Sequence, residues 1–296
     1  MILKAFFLAT RPQFLVLSPV LTFLGTSIAW NDGAFRLGYA LLASVGLILV
    51  HISVNMLNDY FDYRSGLDLQ TERTPFSGGS GVLPAAMLAP RQVLAVALGA
   101  FLLAVPIGIY FVIVSGWSLL PLVLAGALCI ILYTPLTTRL VWPELVAGAG
   151  MGTLPILGMY FVQTGHYTAP AVMAAIPSGL LVHNLLLLNE FPDVEADRGA
   201  GRRNLPTVLG RARAGVLYSS FTLATYAYII ASVLAEAMPT FSLLSLLTIP
   251  LAVKAIRGCL RATTPGELVP ALASNVMVVI LTQLLLGIGY ILAAAF

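Results

Sequence analysis

The chain has 296 residues, 59% hydrophobic and only 9% charged, with a formal net charge of +3 and a mean hydropathy of +0.96. Soluble domains carry charge on about a quarter of their residues, so a water-soluble globular domain is excluded and an integral membrane protein is indicated. The basic residues form short patches without aromatic interleaving, which excludes a nucleic-acid partner.

Apolar runs near the ~20 residues that cross a bilayer as a helix recur at 13–31, 38–58, 92–114, 117–133, 142–163, 170–190, 214–235, 240–258 and 270–295. Nine transmembrane helices in one domain, 1–296, are predicted. The first run is too long for a cleaved signal peptide and lacks a small-residue cleavage site, so it counts as a span.

The second run leads into NMLNDYFDYRSGLD, residues 55–68. If its helix continues, Asn55, Asn58, Asp59 and Asp62 fall at i, i+3, i+4 and i+7, on one face. Asp68 follows Gly66 and leaves that stripe; it is predicted to reach back from a loop. Acidic side chains at this depth face a polar cavity, and close carboxylates repel unless a cation neutralises them. The next segment, TERTPFSGGSGVLP at 71–84, has the glycines of a mobile lid.

Cys129 and Cys259 lie in separate apolar runs without CxxC spacing, as small core residues do. The sixth run ends in NEFPDVEADRGAGRRNLP, residues 189–206. Asn189, Asp193 and Asp197 stand at i, i+4 and i+8, one stripe if the helix persists past Pro192, which otherwise kinks it. Glu190 and Glu195 are expected on the solvated side. His51, one turn before Asn55, and His183, six residues before Asn189, are expected to hydrogen-bond between helices, whereas His166 falls in an outer loop.

With nine spans, 14 of the 15 Lys and Arg residues lie on the side of the N-terminus and Arg36 alone lies opposite, which predicts a cytoplasmic N-terminus. Ten of the 12 acidic residues share that side, Asp32 and Glu236 being the others. Attraction to lipid alone would call for cations only, so the mixture implies a polar working surface. Both aspartate clusters end helices that run from outside to inside, and so converge there. Oxygen ligands without His or Cys suit Mg²⁺, which bridges carboxylates to phosphates, and nearby arginines complement phosphate charge. The expected ligand is a diphosphate held within a membrane. An ion-coupled secondary transporter would instead gather its polar groups near the bilayer midplane, and a lipid-binding scaffold would not need two metal-type clusters.

On NDYFDYRSGLD from Asn58 and NEFPDVEADRGAGRRNLP from Asn189, with ATRPQFLVLSPV leading into the first run and LYTPLTTR closing the fourth, the chain resembles the UbiA superfamily of intramembrane aromatic prenyltransferases. The resemblance implies an all-α membrane fold around a central cavity open sideways to lipid. It also implies a multi-pass protein of the cell membrane with its active site toward the cytoplasmic face. The implied reaction is transfer of a polyprenyl group from a prenyl diphosphate donor to an aromatic or lipid-precursor acceptor, with Mg²⁺. By position, Asn58, Asp62 and Asp68 would be one ligand set for the metal, and Asn189, Asp193 and Asp197 the other; Asp59 matches the ND of the first motif. Arg11, Tyr133, Arg139 and Arg202 are candidates for gripping the diphosphate or the acceptor. Asp62, Asp193, Arg139 and Tyr133 are the implied catalytic residues. Arg203, Arg211 and Arg213 read as topology markers.

Many members place the last aspartate of the first motif four residues after the middle one. Here that position is Gly66, and the aspartate is Asp68. This longer spacing resembles the branch that prenylates 1,4-dihydroxy-2-naphthoate; 4-hydroxybenzoate and a glyceryl ether phosphate are the alternative acceptors. Gln13 departs from the RPK common in that branch.

Overall fold

Inside a bilayer the backbone has no water to bond to, so an apolar chain satisfies its amides internally as helix. The computed structural model describes residues 2–137 and 142–296, and among these residues every regular element is helical. Arg139 lies outside the described residues.

The elements are α1 (Ile2–Ala9), α2 (Pro12–Leu15), α3 (Leu17–Asn31), α4 (Leu37–Ser65), α5 (Pro90–Ser115), α6 (Leu120–Thr137), α7 (Pro143–Gly148), α8 (Leu154–Thr164), α9 (Ala169–Asn189), α10 (Val194–Gly199), α11 (Leu205–Leu209), α12 (Arg211–Leu234), α13 (Ile249–Arg261) and α14 (Pro265–Ala295). Among the described residues eight helical segments are long and apolar enough to cross a membrane: Pro12–Asn31, Leu37–Ser65, Pro90–Ser115, Pro143–Thr164, Ala169–Asn189, Arg211–Leu234, Thr240–Arg261 and Pro265–Ala295. The predicted span at 117–133 forms helix, but its apolar stretch Trp117–Ile131 is shorter than the other eight. The short α1 was not among the predicted elements; Ala5 and Ala9 bury it against Met56 and the 82–88 loop.

Local chemistry sets the breaks. Pro250, at the start of α13, has no amide to extend the helix backward, and the nine residues before it, Thr240–Thr248, wind as a 3₁₀ helix. Between α7 and α8 a single π turn, Ala149–Thr153, keeps the span continuous. By contrast α4 runs unbroken through the first motif and stops at Gly66, whose φ of 80° favours glycine.

Helices α3 and α9 are the central ones, with 61% and 67% of their spans buried, whereas α5 at 22% is peripheral. Close backbone contact fixes α7 and the π turn against α9. A Cβ on Gly148 would lie 2.6 Å from the Gly179 carbonyl oxygen, and one on Gly152 would lie 2.6 Å from that of Ser178. Small residues permit this approach where lipid supplies no hydrophobic drive between helices. Buried polar groups join the next layer. Asn184 on α9 donates to the Tyr218 carbonyl (2.8 Å) and to Thr222 Oγ1 (2.9 Å) on α12, and the Tyr218 hydroxyl donates to Asn275 Oδ1 (2.9 Å) on α14. These contacts fix α9, whose end carries the second motif, against α7, the π turn and α12, with α12 tied in turn to α14.

Candidate active site

The two aspartate-rich helix ends meet at one cavity of about 220 Å³. Asn55, Asn58, Asp62 and Asp68 line it from one side, and Asn189, Glu190, Asp193 and Asp197 from the other; Arg11, Tyr133 and Arg202 complete the polar wall. Beneath them the lining is apolar, including Phe14, Leu17, Ile130, Met151, Val182 and Leu185.

Asn55, Asn58 and Asp62 keep the expected stripe toward the cavity because α4 continues to Ser65, whereas Asp59 leaves it. Asn58 Nδ2 donates to Asp62 Oδ2 (2.9 Å), and Asn55 Nδ2 to the Thr10 carbonyl (2.9 Å). Asp59, on the same helix, turns away from the cavity to pair with Arg11, whose Nη2 also donates to Asn58 Oδ1 (2.8 Å). Arg11 has φ 52°, a left-handed backbone that few non-glycine residues adopt; that strain accompanies the anchoring of its guanidinium. Asp68 sits on the 3₁₀ turn Leu67–Leu69 just past Gly66 and faces the cavity from there, as its place off the stripe predicts.

The second cluster differs from the expected stripe. Helix α9 ends at Asn189, residues 190–193 form a turn, and Asp193 precedes the new helix α10. Pro192 has no amide for the helical ladder, and the helix breaks there and does not continue as a kinked helix. Even so, Asn189, Asp193 and Asp197 all reach the cavity. Glu190 does not point to solvent as expected: it lines the cavity, and its Oε2 is buried without a hydrogen-bond partner. Glu195 is solvated and pairs with Arg198.

Arg202 bridges the halves, pairing with Asp62 and standing 3.8 Å from Asp197 Oδ1. Asn204 Nδ2 donates to Asp197 Oδ2 (2.7 Å). The 71–84 segment lies across the mouth and binds both motifs through its backbone. The Gly78 amide donates to Asp193 Oδ2 and the Ser80 amide to Asp59 Oδ1, each at 3.2 Å.

Two residues stand outside the motif pattern. Glu144, fully buried at the start of α7, accepts from the Leu205 amide (2.7 Å) and leaves Oε2 unpartnered. Asn204 caps α11 as well as holding Asp197. A carboxylate at the edge of an apolar run is the signal for Glu144; Asn204 has no sequence signal beyond a helix-capping residue type. His51 shares a hydrogen bond with Ser18 across helices (2.8 Å) as expected, whereas His183 bonds its neighbour Asn184 on the same helix (3.2 Å) and reaches α12 only through ring packing on Phe221. Cys129 and Cys259 are free thiols.

Burial, reinforced by Asp62, pushes the Asp68 carboxyl up to about 7. Burial and the charge of Asp197 push Asp193 up to about 8. Burial raises Asp197 to about 6, with Arg202 opposing the rise. Each carboxyl therefore holds its proton more tightly folded than unfolded. This stabilises the folded protein at low pH and is lost as the pH climbs through these values. Thermal melting without divalent cations should accordingly show Tm falling from about pH 6 to about pH 8, and Asp193→Asn should flatten that slope. A Tm that rises over this window would contradict the burial of these groups.

The donor set fits a hard divalent cation. It is oxygen-only, and Asn189 Oδ1 and Asp193 Oδ1 are buried without partners. Among the described residues no three carboxylate, thiolate or imidazole side chains form a cage of their own. Such an open arrangement suits Mg²⁺, which completes its shell with water and phosphate oxygens.

The chain is similar to proteins already known. The model of the UbiA prenyltransferase family matches residues 16–276. The chain is 28% identical over 287 residues to a 1,4-dihydroxy-2-naphthoate octaprenyltransferase of Bacillus subtilis (strain 168), covering 96% of this chain and 91% of the relative. It is 27% identical over 303 residues to the enzyme of that name from Haemophilus influenzae, covering 98% and 96%. Among solved structures, the apo form of a UbiA homolog from Aeropyrum pernix K1 superposes with a TM-score of 0.68 at 17% identity, over 94% of this chain and 97% of that one. A UbiA homolog from Archaeoglobus fulgidus bound to GPP and Mg²⁺ gives 0.61 at 12% identity, over 97% and 99%. These two structures establish a shared fold.

Proposed function

Because this chain belongs to the UbiA prenyltransferase family and is an enzyme that transfers prenyl groups, we propose that it moves a polyprenyl group from an allylic diphosphate to an aromatic quinone precursor of the 1,4-dihydroxy-2-naphthoate type. The observation that carries this reading is the convergence of two oxygen-donor clusters on one cavity that is also lined by an apolar group including Phe14, Leu17, Ile130, Met151, Val182 and Leu185. The names of the naphthoate-prenylating relatives and the position of Asp68 support the acceptor class.

In this reading Asn58, Asp62 and Asp68 hold Mg²⁺ from one side, and Asn189, Asp193 and Asp197 from the other. Bound there, Mg²⁺ supplies positive charge beside the departing diphosphate. Arg11 and Arg202 present guanidinium forks that match phosphate oxygens, and Arg139 is the further candidate for gripping the diphosphate or the acceptor. Tyr133 orients the acceptor or the diphosphate from α6. The allylic C–O bond breaks, its electron pair leaving with the diphosphate, and a ring carbon of the acceptor donates a pair to C1. Loss of the ring proton restores aromaticity. The apolar wall keeps water from capturing the cation and accommodates the isoprenoid tail.

We further place the working end at the cytoplasmic face of the cell membrane, with nine helices crossing, on the grounds that 14 of 15 basic residues gather there and that α6 is apolar along most of its length.

The test incubates purified protein with Mg²⁺, labelled geranylgeranyl diphosphate and, separately, dihydroxynaphthoate, 4-hydroxybenzoate, homogentisate or a glyceryl ether phosphate. Diphosphate release with a prenylated naphthoate product is expected. Release with only another acceptor would overturn the acceptor assignment, and release with none would overturn the diphosphate reading.

A further inference from the structure

Helix α13 carries an unusual division of charge. Ala252, Ala255 and Cys259 are buried, with Ala255 and Cys259 joining the core of α9, α12 and α14. Lys254, Arg257 and Arg261 are exposed. At 3.6 residues per turn these three fall within an arc of about 60°, directly opposite the packed face, and thus toward lipid.

Arg261 ends the span Thr240–Arg261, but Lys254 lies seven residues inside it, about 10 Å deeper along the axis. A cation at that depth extends its stem toward the headgroups and needs an anion there. Among the described residues no carboxylate comes within ion-pair distance of any of the three. Val253 and Leu260, both exposed, flank the stripe with apolar surface. Placement on the cytoplasmic side explains why cations occur at this end, whereas it does not explain a cation recessed into a lipid-facing helix.

We propose that Lys254, Arg257 and Arg261 form a site for the phosphate headgroup of an anionic phospholipid in the leaflet at the catalytic end, with its acyl chains beside Val253 and Leu260. The site is linked to the catalytic half. Arg211 donates to the Ala262 and Thr263 carbonyls just past α13, and its guanidinium lies 5.9 Å from the centroid of the Phe191 ring. Phe191 stands between Asn189 and Asp193, so ordering the end of α13 steadies the turn that carries the second motif. The site does not depend on which acceptor the enzyme uses.

Native mass spectrometry of the full chain in detergent, titrated with dioleoyl phosphatidylglycerol, dioleoyl phosphatidylcholine or inorganic phosphate, tests this. One phosphatidylglycerol should be retained, and neither phosphatidylcholine nor phosphate. K254Q/R257Q/R261Q should lose about a hundredfold in affinity, each cation near the headgroups being worth roughly fivefold. R64Q/R91Q/R203Q removes as much charge from the same end and should bind as the parent does. Thermal melting reports whether each variant is folded, and the charge-preserving K254R/R257K/R261K should keep the lipid even if the glutamine triple variant misfolds. Equal loss in the two glutamine variants, displacement by inorganic phosphate, or unchanged binding in the α13 variant would each overturn the proposal.

Discussion

Asp62→Ala and Asp193→Ala should each lower prenyl transfer by about 10²–10³-fold, the scale on which one electrostatic contact to a developing charge acts. Asp62 sits on α4 and Asp193 in the turn between α9 and α10, yet they share one cavity. Their structural attachments differ: Asp62 is held by Asn58 and Arg202, whereas Asp193 accepts one backbone amide and leaves Oδ1 unpartnered. If both bind metal, both variants should need more Mg²⁺ for half-maximal rate. If Asp62 only orders Arg202, its variant should instead lose affinity for the diphosphate at unchanged Mg²⁺ demand. Steady-state rates across a Mg²⁺ titration, with Glu195→Ala as the solvated control from the same motif, separate these outcomes. Activity within a few-fold of the parent in either aspartate variant would refute the metal assignment.

The second large effect is on folding. Gly152→Ala drives a Cβ to 2.6 Å from the Ser178 carbonyl oxygen and 2.8 Å from the Gly179 Cα, all backbone that no rotamer change can move. Overpacking of this kind costs about 1–3 kcal/mol, and Gly148→Ala, against the Gly179 oxygen, should cost a similar amount. Gly126→Ala, where the added carbon meets open space, should leave stability unchanged or slightly raised. Melting in lipid nanodiscs reads the difference. Because α9 also carries Asn189, the first two variants should lose activity in the fraction that remains folded, whereas a loss of stability alone would show that α9 can yield without moving its end.

Much of this architecture is legible in composition because a bilayer leaves so few choices. Apolar length alone locates eight of the nine predicted spans, and period-3.6 spacing places Asn58 and Asp62 on one face. The turn after Asn189 was harder to read, since Pro192 allows either a kinked helix or a break, and the structure takes the break while keeping Asp193 and Asp197 at the cavity. Glu190 defeats a simple solvation argument. Its neighbours in sequence are polar, but its side chain is aimed by the last turn of α9, and where that turn points is a property of helix packing. The pairing of Arg11 with Asp59 spans 48 positions and was equally hidden. No periodicity links a left-handed residue before the first span to a carboxylate at the end of the second.

The strap across the cavity mouth has a consequence for how this chain can vary. Its bonds to Asp193 and Asp59 are donated by the main-chain amides of Gly78 and Ser80, groups that every amino acid except proline possesses. The link from position 80 to the first motif therefore does not depend on the Ser80 side chain, which is buried and separately accepts from the Val82 amide (3.2 Å), whereas proline there would remove the link itself. Gly78, with φ 74°, is further confined to residues that tolerate a left-handed backbone. The connection from the strap to both motifs is thus written in the main chain, so its importance would be underestimated by any measure that counts only side-chain contacts.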